Sequence, residues 1–179
     1  LTTSLHKTKR LVQESNKNKV TICESFMYLY HPHFKAVKEF IKNQELGEIR
    51  SINIKFGLPK LENPGFRFNQ KLGGSCLLDV GSYPLSAINS LFPDKKIKLI
   101  STHFRKSKKH LVDLGGKVFL KINSKINCLL EWEYNSSYRN EIDIWGEKGS
   151  LYTEKFFSKG SDYIPKLNLT NKSGKDKNI

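Results

Sequence analysis

Apolar residues recur along this chain with two different periods, helical in its first part and alternating further on. Leu5, Leu11 and Val12 sit at helical spacing behind Thr2 and Thr3, which can cap a helix running to about Asn16. Asn16 to Lys19 reads as a polar turn. Val20 to Met27 is largely apolar, the pattern of a strand buried on both faces. Pro32 opens a second helix whose Phe34, Val37, Phe40 and Ile41 face a core, and Gly47 offers it a stop. The period then drops to two: Ile52, Ile54 and Phe56 alternate with Ser51, Asn53 and Lys55, predicting a half-buried strand. Gly57 to Gly74, with Pro59, Pro64 and Gly65, is irregular, and a loop of that length inside a compact domain is usually functional or disordered. A third helix is expected from Ser75 to Leu91, carrying Leu77, Leu78, Leu85, Ile88 and Leu91.

The remainder is strand-rich. Val118, Leu120 and Ile122 alternate with polar or exposed positions, Asn123-Ser124 makes a turn, and Ile126, Cys128, Leu130, Trp132 and Tyr134 alternate in their turn. Ile142 and Ile144 predict another strand, and Gly146-Glu147-Lys148-Gly149 turns into Leu151 and Tyr152. Strands joined by short turns imply an antiparallel sheet. Its second face is mixed, holding Phe119 and Leu129 beside charges, so it is either solvated or packed on a partner. Residues 166–179 are polar and short of large apolar groups, and read as a tail.

Charge narrows the partners without naming one. The chain has 31 Lys+Arg against 17 Asp+Glu, a net charge of +14, which favours anionic ligands. The densest basic block, from Lys95 to His110, has two readings: a sheet edge blunted by lysines against mispairing, or a nucleic-acid patch. Phe104 is the sole aromatic there, whereas single-strand binders need several stacking platforms, so the edge reading is preferred and no nucleic-acid partner is expected. No run approaches the roughly 20 apolar residues of a membrane helix, and Leu1 to Arg10 shows no secretory pattern. Cys23, Cys76 and Cys128 stand far apart in apolar surroundings, predicting reduced, buried thiols and a cytoplasmic protein. His31 and His33 are the one close histidine pair, and with no Cys or carboxylate at ligand spacing no metal is expected there.

The segment richest in chemistry is Leu72-Gly73-Gly74-Ser75-Cys76-Leu77-Leu78-Asp79-Val80-Gly81-Ser82-Tyr83-Pro84. On a helix Asp79 and Tyr83, four residues apart, share a face. A carboxylate can then orient a substrate hydroxyl while the neighbouring phenol exchanges a proton with it. A phenol has a free pKa near 10, so ionising near neutral pH needs a cation close by. The residues alone leave a second reading open, in which Asp79 caps the helix start and Tyr83 is ordinary core. Pro84 predicts a bend, since its ring and missing N–H disrupt a continuing helix.

With these pieces in place the chain resembles the glucose–fructose oxidoreductase and inositol dehydrogenase family, including its dihydrodiol dehydrogenase-like members. The resemblance runs from Leu1 to Thr153. It rests on Leu1-Thr2-Thr3 with its helix, Glu24-Ser25-Phe26-Met27-Tyr28 leading to His31-Pro32, Leu46-Gly47-Glu48-Ile49, Phe66-Arg67, Gly73-Gly74, Asp79-Val80-Gly81-Ser82-Tyr83 and Trp145-Gly146-Glu147-Lys148-Gly149-Ser150. It implies an enzyme that moves a hydride between NAD or NADP and a sugar-type substrate. Residues 1–30 would be a helix–strand remnant of the cofactor-binding Rossmann domain, residues 31–165 the α+β substrate and oligomerisation domain, a mostly antiparallel sheet with helices packed on one face, and 166–179 a polar tail. Tyr83 would be the general acid/base and Asp79 the residue that positions sugar hydroxyls, with Arg67, Gly73 and Gly74 in the substrate-side wall. The sheet face would join copies into a homo-oligomer.

The family's Glu-Lys-Pro motif, whose lysine would supply the cation beside Tyr83, would stand immediately before Leu1. No Gly-x-Gly-x-x-Gly occurs in the chain, so by itself it is expected to bind no cofactor. Leu29 stands where many relatives place an arginine, and Ser75 replaces a third glycine. A non-catalytic binding or oligomerisation module with the same fold is the alternative.

Overall fold

The computed structural model describes residues 2–160 and 162–178; Leu1 and Ile179, at the two ends of the expected elements, lie outside the described residues. Among the described residues three α-helices, α1 (Leu5–Lys17), α2 (Pro32–Lys42) and α3 (Ser82–Leu91), accompany eight strands. The strands are β1 (Ile49–Leu58), β2 (Ile97–Lys106), β3 (Asp113–Ile122), β4 (Ile126–Tyr134), β5 (Arg139–Gly146), β6 (Gly149–Glu154), β7 (Asn168–Asn171) and β8 (Asp176–Asn178). They form one sheet in the order β2-β3-β4-β1-β5-β6-β7-β8. Every pairing is antiparallel except β1 with β4, which run parallel with Ile54 opposite Leu130 and Phe56 opposite Trp132.

Alternation decides which face is covered. Ile52, Ile54, Leu130, Trp132, Ile142, Ile144 and Leu151 point to one side and are buried. On that side Phe34 and Val37 of α2 and Ala87, Ile88 and Leu91 of α3 close the core. The opposite face carries Phe119 opposite Leu129 and a row of charges in which Lys117 meets Glu131 at 2.5 Å and Arg139 meets Glu141 at 3.0 Å. β2 is one of the sheet's two edges, so the basic block does lie along an edge strand, as lysines placed against edge pairing would.

Two expected elements differ. Residues 19–26 form no strand: a strand buried on both faces needs a neighbour on each side, and none pairs with this stretch among the described residues. Val20 and Ile22 are accordingly exposed, as are Leu5, Leu11 and Val12 of α1. The expected polar tail is instead ordered into β7 and β8, with Leu167 buried and Leu169 opposite Leu151. Backbone pairing, which polar residues make as well as apolar ones, extends the sheet there. Of the cysteines, Cys76 and Cys128 are free and buried, as expected, while Cys23 is free but exposed, because its strand is missing. Burial pushes the Cys128 thiol up to about 12 and, with nearby carboxylates, raises Cys76 further, so neither is a thiolate at neutral pH.

The histidine pair is structural. His31 Nδ1 accepts from the His33 N–H at the start of α2. His33 Nε2 lies 2.8 Å from the Thr153 hydroxyl, which donates its own proton to the Lys166 carbonyl, so Nε2 must be the donor. Burial, with Lys159 and His31 adding to it, lowers the His33 pKa from 6.5 to about 4. A lowered base costs stability in acid: below pH 6.5 the unfolded chain takes up a proton that the folded chain refuses until about pH 4. Stability should therefore fall by up to about 1.4 kcal/mol per pH unit across that window from this group. Thermal melts of wild type and His33→Gln between pH 7 and 4 should converge in slope only if His33 is protonated when folded; we expect the variant's curve to be the flatter. No group of three or more His, Cys, Asp or Glu is placed to hold a metal, and no helix is long and apolar enough to cross a membrane, among the described residues.

Candidate active site

The third helix does not start as a regular α-helix. Residues Leu77–Gly81 form a π turn that runs directly into α3. Pro84 explains it: the ring would strike the carbonyl four residues back, that of Val80, and the wider π turn opens the helix at that carbonyl. π turns of this kind recur at functional sites. A wider turn also sets residues i and i+4 more nearly one above the other, which brings Asp79 and Tyr83 to one side.

Both line a cleft of about 640 Å³ together with Thr2, Thr3, Glu24, Phe66, Gly73 and Leu78. Tyr83 is held as a ring and free as a hydroxyl. Its ring meets Phe26 at 5.1 Å, Phe56 at 5.3 Å, Phe157 at 5.7 Å and Tyr28 at 6.0 Å. Its hydroxyl makes no hydrogen bond among the described residues. Burial raises the Tyr83 pKa above the ordinary tyrosine value, and the negative charges of Asp79 and Glu24 raise it further.

Asp79 does not cap the helix. That work falls to Asp113 of β3, which accepts from the Leu77 N–H at 2.7 Å and the Ser75 hydroxyl at 2.6 Å, and to Ser75, which accepts from the Leu78 N–H. The Asp79 carboxylate instead takes two donors on one oxygen, Oδ2: Arg67 Nε at 2.7 Å and the Tyr134 hydroxyl at 2.6 Å. The sequence missed Tyr134, whose only signal is a phenol at the inward end of β4.

Of the other expected wall residues, Gly73 lines the cleft in a left-handed conformation, φ +80°, and a Cβ there would lie 2.6 Å from Thr3. Arg67 and Gly74 stand behind the cleft rather than in its surface. Gly74 is pressed so closely on the carbonyls of Phe66 and Arg67, at 2.5 and 2.6 Å from a Cβ, that only glycine lets the loop carrying Arg67 approach. Phe66 and Leu78 are about half exposed at the rim and Leu72 more so; for Phe66 and Leu72, apolar residues inside a polar loop were the available signal.

Residues 34–152, about two thirds of the chain, match the model of the GFO/IDH/MocA C-terminal domain. The chain belongs to this family. Among GFO/IDH/MocA relatives, dTDP-3,4-didehydro-2,6-dideoxy-alpha-D-glucose 3-reductase of Saccharopolyspora spinosa is 26% identical over 96% of this chain and 52% of its own length. A trans-1,2-dihydrobenzene-1,2-diol dehydrogenase of Xenopus laevis is 22% identical over 83% of the chain. Among solved structures, a 3-ketoreductase from Actinomadura kijaniata in complex with NADP and TDP-benzene superposes with a TM-score of 0.93 at 25% identity, covering all of this chain and 55% of that one. An inositol dehydrogenase homologue from Azotobacter vinelandii shares the fold, with a TM-score of 0.83 at 18% identity. The chain spans about half the length of the curated relatives it matches.

Proposed function

We propose that this chain forms the substrate side of an NAD(P)-dependent oxidoreductase that interconverts a carbonyl and a carbinol on a sugar, and that the sugar is nucleotide-linked. The observation that carries the reading is the Tyr83 hydroxyl, without a hydrogen bond among the described residues, sharing one cleft with the Asp79 carboxylate. The 3-reductase relatives and the net charge of +14, which suits a diphosphate-bearing substrate, support the sugar-nucleotide class.

The residues present fit the reacting end of a nicotinamide cofactor but not its pyrophosphate. The cleft has room for a sugar beside a flat ring, whereas the chain contains no glycine-rich turn of the kind that holds a pyrophosphate. Residues 2–30 would pack on the cofactor-binding half, which suits the exposed apolar side chains of α1 and of the stretch after it. When bound, the nicotinamide supplies or accepts the hydride. Tyr83 handles the proton, and its raised pKa keeps it protonated at neutral pH, the state that donates to a carbonyl oxygen during reduction. The opposite direction needs a neighbouring cation to lower that pKa, the role the family resemblance gives to the Glu-Lys-Pro lysine. Asp79 accepts a hydroxyl of the substrate and sets its orientation. The test is NADPH-dependent reduction of a dTDP-linked 3-keto sugar by the complete protein. No turnover of that compound or of any keto sugar or polyol would overturn the reading.

The open face of the sheet is the proposed meeting surface of two copies. Phe119 and Leu129 are half-buried on it, on β3 and β4, and Trp145 is 63% exposed on it. Phe119→Glu should shift the protein to monomer in light scattering while leaving its melting temperature nearly unchanged; loss of folding would instead place that face in the core.

A further inference from the structure

We propose that Tyr134 is a positioning residue for the substrate, acting through Asp79; the proposal rests on the reading of Asp79 as the substrate-orienting carboxylate. A carboxylate turns readily about its last torsion, which is broad and nearly two-fold, so a single donor leaves its direction loosely set. Two donors arriving at one oxygen from different elements fix it. Arg67 Nε and the Tyr134 hydroxyl both end on Asp79 Oδ2, at 2.7 and 2.6 Å, and both bonds are charge-assisted. An ionised carboxylate oxygen offers about two acceptor sites, so Oδ2 is filled. Oδ1, which takes no hydrogen bond among the described residues, is the oxygen left for a substrate hydroxyl in the cleft that Asp79 lines.

The two donors differ in what stands behind them. Arg67 comes from the irregular loop after β1, its side chain 31% exposed and its guanidinium over the Phe66 ring. Tyr134 is fully buried at the end of β4, which lies inside the sheet between β3 and β1. Arg105 Nη2 donates to the Tyr134 carbonyl at 3.0 Å, and Phe68 packs on its ring. Tyr134 thus ties the direction of Asp79 to the sheet, and Arg67 ties it to the loop. The competing explanation is that a buried hydroxyl needs some acceptor and Asp79 supplies one. On that account removing the hydroxyl changes stability and nothing in the site.

Two measurements on the complete protein separate these. Crystal structures of wild type and Tyr134→Phe should show one Asp79 carboxylate orientation in the first and a rotated or divided one in the second; an unchanged, fully ordered orientation in Tyr134→Phe overturns the proposal. In steady-state reduction of a dTDP-linked 3-keto sugar, Tyr134→Phe should raise KM about tenfold, as expected for a charge-assisted bond lost at one remove, while kcat changes far less. In an Asp79→Ala background the same change should leave KM unmoved, because the route through Asp79 is gone. An equal effect in both backgrounds overturns the proposal. Failure of the oxidoreductase reading shows differently, as no turnover by wild type or a normal rate in Tyr83→Phe, and the crystallographic comparison still decides the role of Tyr134.

Discussion

Replacing Tyr83 by phenylalanine is expected to lower kcat by roughly 10² to 10⁴, the size of a general acid/base contribution. The change removes one hydroxyl that bonds to nothing among the described residues, while the ring keeps its contacts with Phe26, Phe56, Phe157 and Tyr28. The melting temperature should therefore stay within a degree or two of wild type, since no buried partner is left unsatisfied. Asp79→Asn should behave differently. An amide offers one acceptor oxygen without charge to Arg67 and Tyr134, so orientation suffers and part of the loss should fall on KM. Stability should respond at Asp113 instead: Asp113→Asn weakens the cap on the Leu77 N–H, worth about 1 kcal/mol, without touching the cleft. Steady-state kinetics beside thermal melts of the three variants checks the assignment, and a wild-type rate in Tyr83→Phe removes it.

The parts of the fold that were legible in the sequence are those where one face packs and the other does not. Ile52, Ile54 and Phe56, and Cys128 through Tyr134, alternate because helices cover one side of β1 and β4 while charges occupy the other. Which strands become neighbours is not written in that alternation. β1 lies between β4 and β5 and parallel to β4, a pairing no short turn announces. Val20 to Met27 shows the limit from the other side: a continuous apolar run specifies a strand only where flanking strands exist to bury both of its faces. At the other end, Leu167 and Leu169 are too sparse to signal strands, yet β6 offers an open backbone edge and β7 takes it.

The candidate site was legible where it depends on local spacing and hidden where it depends on long-range contacts. Four-residue spacing put Asp79 on one side with Tyr83, and Pro84 signalled an irregularity, which the structure shows as a π turn. The partners of Asp79 come from 12 and 55 residues away, and nothing local indicates them. Ser75, a departure from the family's glycine, proves informative in the structure: its hydroxyl joins Asp113 in capping the turn, so the loss of glycine there is answered by a hydrogen bond. Gly73 and Gly74, which read as a single motif, separate into one residue in the cleft wall and one that lets the Arg67 loop come close.

The second large effect should come from a residue that touches no substrate. Gly81 ends the π turn between Asp79 and Tyr83, and a Cβ there would stand 2.7 to 2.9 Å from three ring atoms of Trp132. Whether the ring can yield decides the outcome. Trp132 is 1% exposed, and Gly116, its partner across β3 and β4, also lies so close that a Cβ there would be 2.6 Å from the ring. The indole is thus buried with two glycine backbones pressed close to it, which leaves it little freedom to yield, so the π turn is the part expected to move. Alanine improves helix propensity over glycine by about 1 kcal/mol, but overpacking a filled core costs about 1 to 3 kcal/mol, so the clash should prevail. We expect Gly81→Ala to lower the melting temperature by a few degrees, about 2 to 4 °C for each kcal/mol in a domain of this size. The larger consequence is catalytic. A displacement near 1 Å of the turn shifts Asp79 against Tyr83, and misplacement on that scale costs about 10²-fold in rate. Trp132→Phe in the Gly81→Ala background removes the fused ring that presses on the turn and should restore part of the rate, although Trp132→Phe alone leaves a cavity and destabilises. Gly81→Ala with wild-type melting and wild-type turnover would show that the close approach of Trp132 plays no part in holding the site.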